Sequence, residues 1–281
     1  MPELPEMEAL ARGLDRELRG RTVASVHPYQ PSTFQGSVAP DEAVGATITG
    51  VARRGKLIIV GLGENLTLVV HLMQAGRLGL TSPPAGRPPR RACLGLRVDD
   101  ATELRLRELS TTHRAWARLV RGPAGADPAV AALGPEAVDL DAGGWRAALT
   151  TPPGVLHTAL RQGRRVAGVG RCYASEIMWA ARLPPLARTA TLPDDAWDRL
   201  AAAAPRVLGD AVERAGRTIT TDLPDKQGRV TAVHGHFGDP CLRCGTPLSR
   251  VAFRGYELVY CAPCQTGGRE YADRRMSRLL R

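Results

Sequence analysis

Aromatic side chains are scarce. They make up 4% of the 281 residues, so a core built from this chain has to rest on Leu, Val and Ala. Long apolar runs are missing too. None approaches the ~18 residues that a membrane-spanning helix needs. The opening Met1-Pro2-Glu3-Leu4-Pro5-Glu6-Met7-Glu8 is acidic where a secretory leader is apolar. A cytoplasmic location is therefore the default expectation. Lysine almost vanishes: it stands only at Lys56 and Lys226, and arginine supplies the rest of the 38 basic residues. Against that background each lysine marks a place where a compact, titratable ammonium is wanted. Acidic residues are in deficit, 28 against 38, which leaves a formal charge of +10. That balance points to a polyanionic partner, nucleic acid first. A hydrophobic share of 43% excludes wholesale disorder. Six cysteines in such a chain argue for metal ligands or buried thiols rather than disulfides.

What is there begins with a helix. Pro5 suits a first helical turn. Met7, Leu10, Leu14 and Leu18 recur at three- and four-residue steps, and Gly20 is the expected stop. Short strand-like runs follow at Thr22–Tyr29, Ala46–Val51, Lys56–Gly61, Leu66–Leu72, Ala92–Val98, Glu103–Leu109 and Ala115–Val120, with Asp99-Asp100 where a hairpin turn belongs. Many short strands with turn signals read as a sandwich or a barrel. Gln30–Asp41 and the proline- and arginine-rich Thr81–Arg91 read as loops, and Arg121–Pro128 as a linker between domains. Beyond it the pattern turns helical, around Asp141–Leu149, Pro153–Gln162, Ala174–Leu183 and Asp194–Ala215. Gly168-Val169-Gly170-Arg171 is a glycine turn feeding a helix, a geometry that exposes backbone N–H groups to a phosphate.

The strongest local signal lies near the end. Cys241-Leu242-Arg243-Cys244 and Cys261-Ala262-Pro263-Cys264 are two C-x-x-C knuckles. The spacer Gly245–Tyr260 is long enough for one hairpin, and the spacing is that of a four-thiolate zinc site. So small a region cannot bury a core, so one structural Zn2+ supplies much of its folding energy. Cys93 and Cys172 lack such partners and read as buried thiols. His234 and His236 are not needed as ligands, because four cysteines already fill a tetrahedron. Arg243, Arg250, Arg254, Arg269, Arg274, Arg275, Arg278 and Arg281 give the unit a basic surface.

Pro2 gains chemistry once Met1 is removed. The new terminus is a secondary amine, and an α-amino group titrates near ~8 against ~10.4 for lysine. It is therefore available as a free base at neutral pH and can condense with a sugar aldehyde to an iminium. Glu3 and Glu6 fall in the same helical turn, where a carboxyl can act as general acid or base. Acidic residues at this position are also ordinary helix caps.

Five motifs occur in order: the opening Met-Pro-Glu-Leu-Pro-Glu, Arg53-Arg54-Gly55-Lys56, Leu133-Gly134-Pro135-Glu136, Gly168-Val169-Gly170-Arg171-Cys172-Tyr173-Ala174-Ser175-Glu176, and the two knuckles. Together they resemble the formamidopyrimidine-DNA glycosylase/endonuclease VIII family across nearly the whole chain. The resemblance implies an α+β fold: an N-terminal β-sandwich with an N-terminal helix, a helix-two-turn-helix domain and a C-terminal zinc-finger β-hairpin. The matching spans are 1–121, 129–222 and 230–281. It also implies a monomer of bacterial type, cytoplasmic and nucleoid-associated, that binds double-stranded DNA with damaged bases or abasic sites in the cleft between its domains. The implied activity is that of a bifunctional DNA glycosylase and abasic-site lyase of base excision repair. Pro2 attacks C1′ through a Schiff base, Glu3 moves protons, Glu6 supports the network and Lys56 contacts phosphate beside the lesion. β- and δ-elimination then nick the strand. Glu176 matches a carboxylate near the flipped nucleotide, and Gly168–Arg171 would hold backbone phosphate. The target base has to leave the stack, because the reacting carbon is inaccessible in intact duplex. A non-catalytic DNA-binding protein on the same scaffold is the competing expectation.

The sequence departs from the family pattern at several places. Arg171 stands where many members have Asn. His71-Leu72-Met73-Gln74 replaces His-Leu-Gly-Met, so Gln74 takes the place of the methionine that fills the gap left by the flipped base. In the stretch aligned with Arg-x-Phe-Gly, which is inserted opposite the lesion, stand Thr111-Thr112-His113-Arg114-Ala115-Trp116. Ala115 cannot wedge between bases, which leaves His113, Arg114 or Trp116. The segment Thr218–Val233 is shorter than the loop that covers 8-oxoguanine in purine-type members. Tyr256 stands where the zinc hairpin usually carries Arg, with Arg254 two residues away. The expectation from these departures is an endonuclease VIII-like preference for oxidised pyrimidines, with oxidised purines as the alternative.

Overall fold

The computed structural model describes residues 1–87, 90–226, 228–253 and 255–271. Two compact units divide the chain. The first holds Met1–Leu133 and Ala211–Gly228, the second Gly134–Asp210 and the residues from Arg229 on.

The first unit is a helix on a two-sheet core. Helix α1 (Leu4–Leu18) starts with Pro5 in its first turn and ends before Gly20, whose φ of +80° favours glycine. Its stripe of Met7, Leu10, Leu14 and Leu18 is wholly buried. The strands are β1 (Ser25–His27), β2 (Phe34–Gln35), β3 (Ile48–Arg54), β4 (Leu57–Leu62), β5 (Leu66–His71), β6 (Gly76–Thr81), β7 (Ala92–Arg97), β8 (Glu103–Glu108) and β9 (Trp116–Arg121). One sheet has the order β1-β7-β8-β6, the other β2-β9-β5-β4-β3. Ile58, Val60, Leu68 and Val70 of one sheet and Leu78, Leu94, Leu104 and Leu106 of the other meet in a single aliphatic core with α1. This is the expected sandwich, and its core is nearly free of aromatic rings.

Two strands escape the pattern: the short β2, which pairs in parallel with β9 inside Gln30–Asp41, a stretch read as a loop, and β6. The glycines of β6 weaken a strand signal, yet both are required by close approach. A Cβ at Gly76 would lie 2.4 Å from the Leu72 carbonyl oxygen, and one at Gly79 would lie 1.9 Å from the Asp222 carboxylate. Residues from much later in the chain add to this edge: Leu80 N–H donates to the Thr221 carbonyl at 2.9 Å and Leu223 N–H to the Leu78 carbonyl at 3.1 Å. Arg77 then ties down the carbonyls of Pro224 and Asp225 at 2.9 and 2.7 Å. The Asp99 turn forms as expected, with Asp99 Oδ1 accepting from Ala101 and Thr102 N–H at 2.7 and 2.6 Å. Arg121–Pro128, read as a linker, is instead anchored in the first unit. Asp127 caps the short helix α2 (Pro128–Ala131) and pairs with Arg118 at 2.7 Å.

The second unit carries α3 (Ala142–Thr150), α4 (Leu156–Leu160), α5 (Arg171–Ala180) and α6 (Asp194–Gly216) up to Asp210. Asp141 caps α3 through Gly144 N–H at 2.7 Å. Trp145, Leu156, Leu160, Ile177, Trp197 and Leu200 are all buried. The antiparallel hairpin β10 (Ser249–Phe253) and β11 (Tyr256–Tyr260) follows, then α7 (Ala262–Thr266).

Candidate functional site

The amino-terminal turn is built by reciprocal use of its own acidic residues. Glu3 is the residue before α1, and its N–H donates to Glu6 Oε2 at 2.8 Å. Glu6 therefore spends one oxygen on closing the helix start, in the manner of a capping box. Both carboxylates are buried, at 3% and 2% exposure, and so is Pro2, whereas Met1 is exposed. One turn thus brings together the imino acid and two carboxyl groups. Helix α1 is clamped to β3 over its length. Asp15 Oδ1 accepts Val51 N–H at 2.7 Å, and Glu8 pairs with Arg53 at 2.7 Å. The Val51 N–H and the Arg19 guanidinium hold the Asp15 carboxyl below its ordinary range, against the small opposing effect of its partial desolvation.

Lys56 sits in the two-residue turn between β3 and β4, one residue before the strand that the pattern assigns it to. Gly55 adopts φ +57° there, and Arg54 pairs with Leu57 across the turn. The turn brings Lys56 to His71, the cross-strand partner of Leu57. Burial, and then the Lys56 charge, push the His71 imidazole down to about 4. His71 is thus neutral at pH 7. Its Nδ1 accepts Met73 N–H at 3.1 Å, while its ring stacks on Trp116 at 5.6 Å. Trp116 lies on β9 under the Arg118 guanidinium, 4.7 Å from the ring centroid. It belongs to the sheet face rather than to a loop tip.

The remaining loop residues collect beside one another. Met73 has φ +48°, a left-handed conformation that few non-glycine residues adopt. It leaves Gln74 exposed at the tip of the β5–β6 turn. The β8–β9 loop runs alongside, bonded through Leu109 N–H to the Ala75 carbonyl at 3.0 Å. Its His113 and Arg114 are exposed and Ala115 is buried. Buried Glu108 sets the loop by accepting Arg114 and Ala115 N–H at 3.2 and 2.9 Å. Sequence reasoning missed Glu108, because one acidic residue at a strand end carries no motif.

In the second unit Gly168 (φ +92°) and Gly170 open α5, and Arg171 is its first residue. The Arg171 guanidinium lies over the Tyr256 ring of β11, 4.6 Å from the centroid. Arg161 shares that ring at 4.9 Å; nothing in a chain so rich in arginine singled it out. Glu176 is buried, and its two oxygens accept the backbone N–H groups of Ala232, Val233 and His234 at 2.7, 3.0 and 2.8 Å. That cradle ties α5 to the chain leading into the hairpin. Arg254 lies outside the described residues.

Four sulfurs converge at the base of the hairpin. The Sγ atoms of Cys241, Cys244, Cys261 and Cys264 all lie within 4.8 Å of one another, where a tetrahedral zinc–thiolate centre requires about 3.8 Å. The donor set and the convergence fit a single structural zinc. Trp179 Nε1 donates to Cys241 Sγ at 3.4 Å, and Arg243 covers the Trp179 ring at 4.3 Å. His236 bonds to Asp239 at 2.8 Å and takes no part. Cys93 and Cys172 are buried thiols.

These parts define a class: a zinc-hairpin protein in which a capped amino-terminal helix on a β-sandwich accompanies a glycine turn that opens a helix. The family described as "Formamidopyrimidine-DNA glycosylase N-terminal domain" matches residues 1–114, and "Zinc finger found in FPG and IleRS" matches residues 238–267. The formamidopyrimidine-DNA glycosylase of Thiobacillus denitrificans is 33% identical over 94% of this chain and all of its own length. That of Moorella thermoacetica is 34% identical over 89% of this chain and 94% of its own. The fold of the Lactococcus lactis Fpg, solved in complex with DNA containing an abasic site, superposes with a TM-score of 0.82 at 25% identity, over 94% of this chain and 99% of that one. The chain belongs to the formamidopyrimidine-DNA glycosylase family.

Proposed function

We propose that this chain is a bifunctional DNA glycosylase and abasic-site lyase that excises oxidised bases from double-stranded DNA in base excision repair. The observation that carries the reading is the Pro2–Glu3–Glu6 turn, an imino acid with two buried carboxylates at a capped helix start. Removal of Met1 bares the Pro2 nitrogen, which attacks C1′ of the damaged nucleoside. The C1′–base bond breaks and the base leaves with a proton; the nitrogen loses its own proton, the C1′–O4′ bond then opens as O4′ is protonated, and the nitrogen–carbon link becomes an iminium. Glu3 supplies and recovers protons at the sugar. The iminium acidifies the C2′ proton, so β-elimination expels the 3′ phosphate and δ-elimination the 5′ phosphate; hydrolysis then frees Pro2. Glu6 acts by holding Glu3. Lys56 meets a phosphate beside the lesion, and Gln74, His113 and Arg114 occupy the space left by the extruded base. Arg171 and Tyr256 serve the DNA backbone. Zinc holds the hairpin and takes no part in the chemistry. A bacterial, cytoplasmic, nucleoid-associated monomer fits the substrate and the bacterial relatives.

Within the oxidised bases, the reading favours pyrimidines. The segment 218–233 is pinned at both ends, Thr221–Asp225 by β6 and Arg77, and Ala232 onward by Glu176. Little chain remains to fold over a purine. The second reading, oxidised purines, is favoured by the curated relatives, which carry the name formamidopyrimidine-DNA glycosylase. Steady-state excision of 5-hydroxyuracil, thymine glycol and 8-oxoguanine from matched duplexes decides between them; a clear preference for 8-oxoguanine opposite cytosine overturns the pyrimidine reading. Borohydride trapping on abasic DNA tests the chemistry itself. A covalent adduct forms with the processed chain and disappears in Pro2→Gly and in a form that retains Met1. Trapping that survives both changes assigns the amine elsewhere, to Lys56 first.

A further inference from the structure

The ring of Tyr256 has more neighbours than packing requires. Phe253, its cross-strand partner, stacks on it at 4.8 Å and holds it at the turn end of the hairpin. The buried His157 ring lies at 6.1 Å. Two guanidinium groups, from Arg161 after α4 and Arg171 at the start of α5, sit over the same ring at 4.9 and 4.6 Å. Both lie within 4.9 Å of one ring centroid, so the two like charges repel, and the repulsion grows as water is displaced. Among the described residues no carboxylate pairs with either guanidinium. Arg161 has only the His157 Nδ1 at 3.4 Å, and His157 is neutral, because burial and the two arginines push its pKa down to about 3. The π face of Tyr256 attracts each cation without neutralising it. What remains is two forked donor groups, fixed by an aromatic plate, with Arg171 exposed to solvent. Planar guanidinium groups match phosphate oxygens two at a time.

We infer that Tyr256 is a positioning residue whose ring carries Arg161 and Arg171 as a two-guanidinium clamp for a backbone phosphodiester of the bound DNA. The inference rests on the DNA-binding reading above and adds to it a named role for Arg161 and for an uncharged side chain. Among the described residues, the two cations seated on Tyr256 come from Arg161 after α4 and Arg171 at the start of α5. The arrangement lies wholly within the second unit.

Salt-dependent binding to a duplex holding a tetrahydrofuran abasic analogue tests the clamp, with the full-length, zinc-loaded protein. Removing one phosphate–cation pair lowers the slope of log K against log salt by about one. Tyr256→Leu keeps an apolar side chain and removes the π face; it weakens binding roughly tenfold at low salt and flattens the slope by about one. Tyr256→Phe keeps the face and restores both affinity and slope. Arg161→Gln reproduces the Tyr256→Leu effect, and the double variant is less than additive, because ring and cation act on the same phosphate. Zinc content and circular dichroism that match the parent show that the hairpin is intact. The inference is overturned if Tyr256→Leu keeps the parental slope, if Tyr256→Phe is as weak as Tyr256→Leu, or if Arg161→Gln and Tyr256→Leu add in full. Failure of the parent protein to bind the duplex at all instead overturns the DNA-binding reading.

Discussion

The helix start at Glu3 offers a sharp test of how position and chemistry divide between two neighbouring carboxylates. Glu6 accepts the Glu3 N–H at 2.8 Å while 2% exposed. Glu6→Ala leaves that N–H buried without its acceptor, at a cost of about 2 kcal/mol, between the loss of a helix cap and that of a charged hydrogen bond. For a chain of this size, thermal unfolding falls by roughly 5 °C. The turn that carries Pro2 and Glu3 then loses its anchor, and a displacement of ~1 Å at reacting groups costs on the order of 100-fold in rate. Glu6→Gln presents an amide oxygen at the same place. It should lose less than ~1 kcal/mol and trap abasic DNA within a few-fold of the parent. The assays are thermal unfolding by circular dichroism and single-turnover borohydride trapping with protein in excess over DNA. If Glu6→Gln traps as slowly as Glu6→Ala while melting like the parent, the Glu6 charge matters to the chemistry directly, and the positioning argument is wrong.

Three further outcomes are expected. Strong chelation, or Cys244→Ser, unfolds the hairpin and weakens DNA binding while the β-sandwich signal persists; unchanged affinity without metal would make the hairpin dispensable. His157 is held neutral by burial and by Arg161 and Arg171, near 3 in the folded chain against ~6.5 unfolded. Its neutrality thus favours the fold above ~6.5, and that contribution is lost as pH falls towards 3, at most by several kcal/mol; denaturant titrations of His157→Asn across that window should show a shallower acid loss than the parent, and an equal loss refutes the assignment. Gly79→Ala should destabilise by about 3 kcal/mol or more, because its Cβ would meet Asp222 at 1.9 Å; a melting temperature within a degree of the parent would show that the 220–225 segment yields freely.

Much of this protein is legible along the chain because its signals are local. The α1 stripe, the alternating strands, the Asp99 turn and the two knuckles each follow from spacing within a few residues, and each is found where the spacing puts it. The same holds for the pairing of Glu3 with Glu6, which needs only the first turn of a helix. What escaped is contact between distant positions. Strand β6 reads poorly because Gly76 and Gly79 answer to Leu72 and Asp222 rather than to their neighbours. Trp116 reads as a candidate wedge until its pairing with His71 turns it onto the sheet. Glu176 reads as a site carboxylate, and the fold shows both of its oxygens taken up by backbone N–H groups nearly sixty residues ahead. Arg161 is one arginine among many until the hairpin sets Tyr256 beneath it. Periodicity and ligand spacing are written in neighbouring residues, so most of the elements and the metal site are legible in sequence alone, and the proposed role of Pro2 is argued from the same local signal. Which charges share a ring, which carboxylates are already occupied and which glycines are obligatory depend on side chains that only folding brings within a few ångströms, where hydrogen bonding and desolvation act.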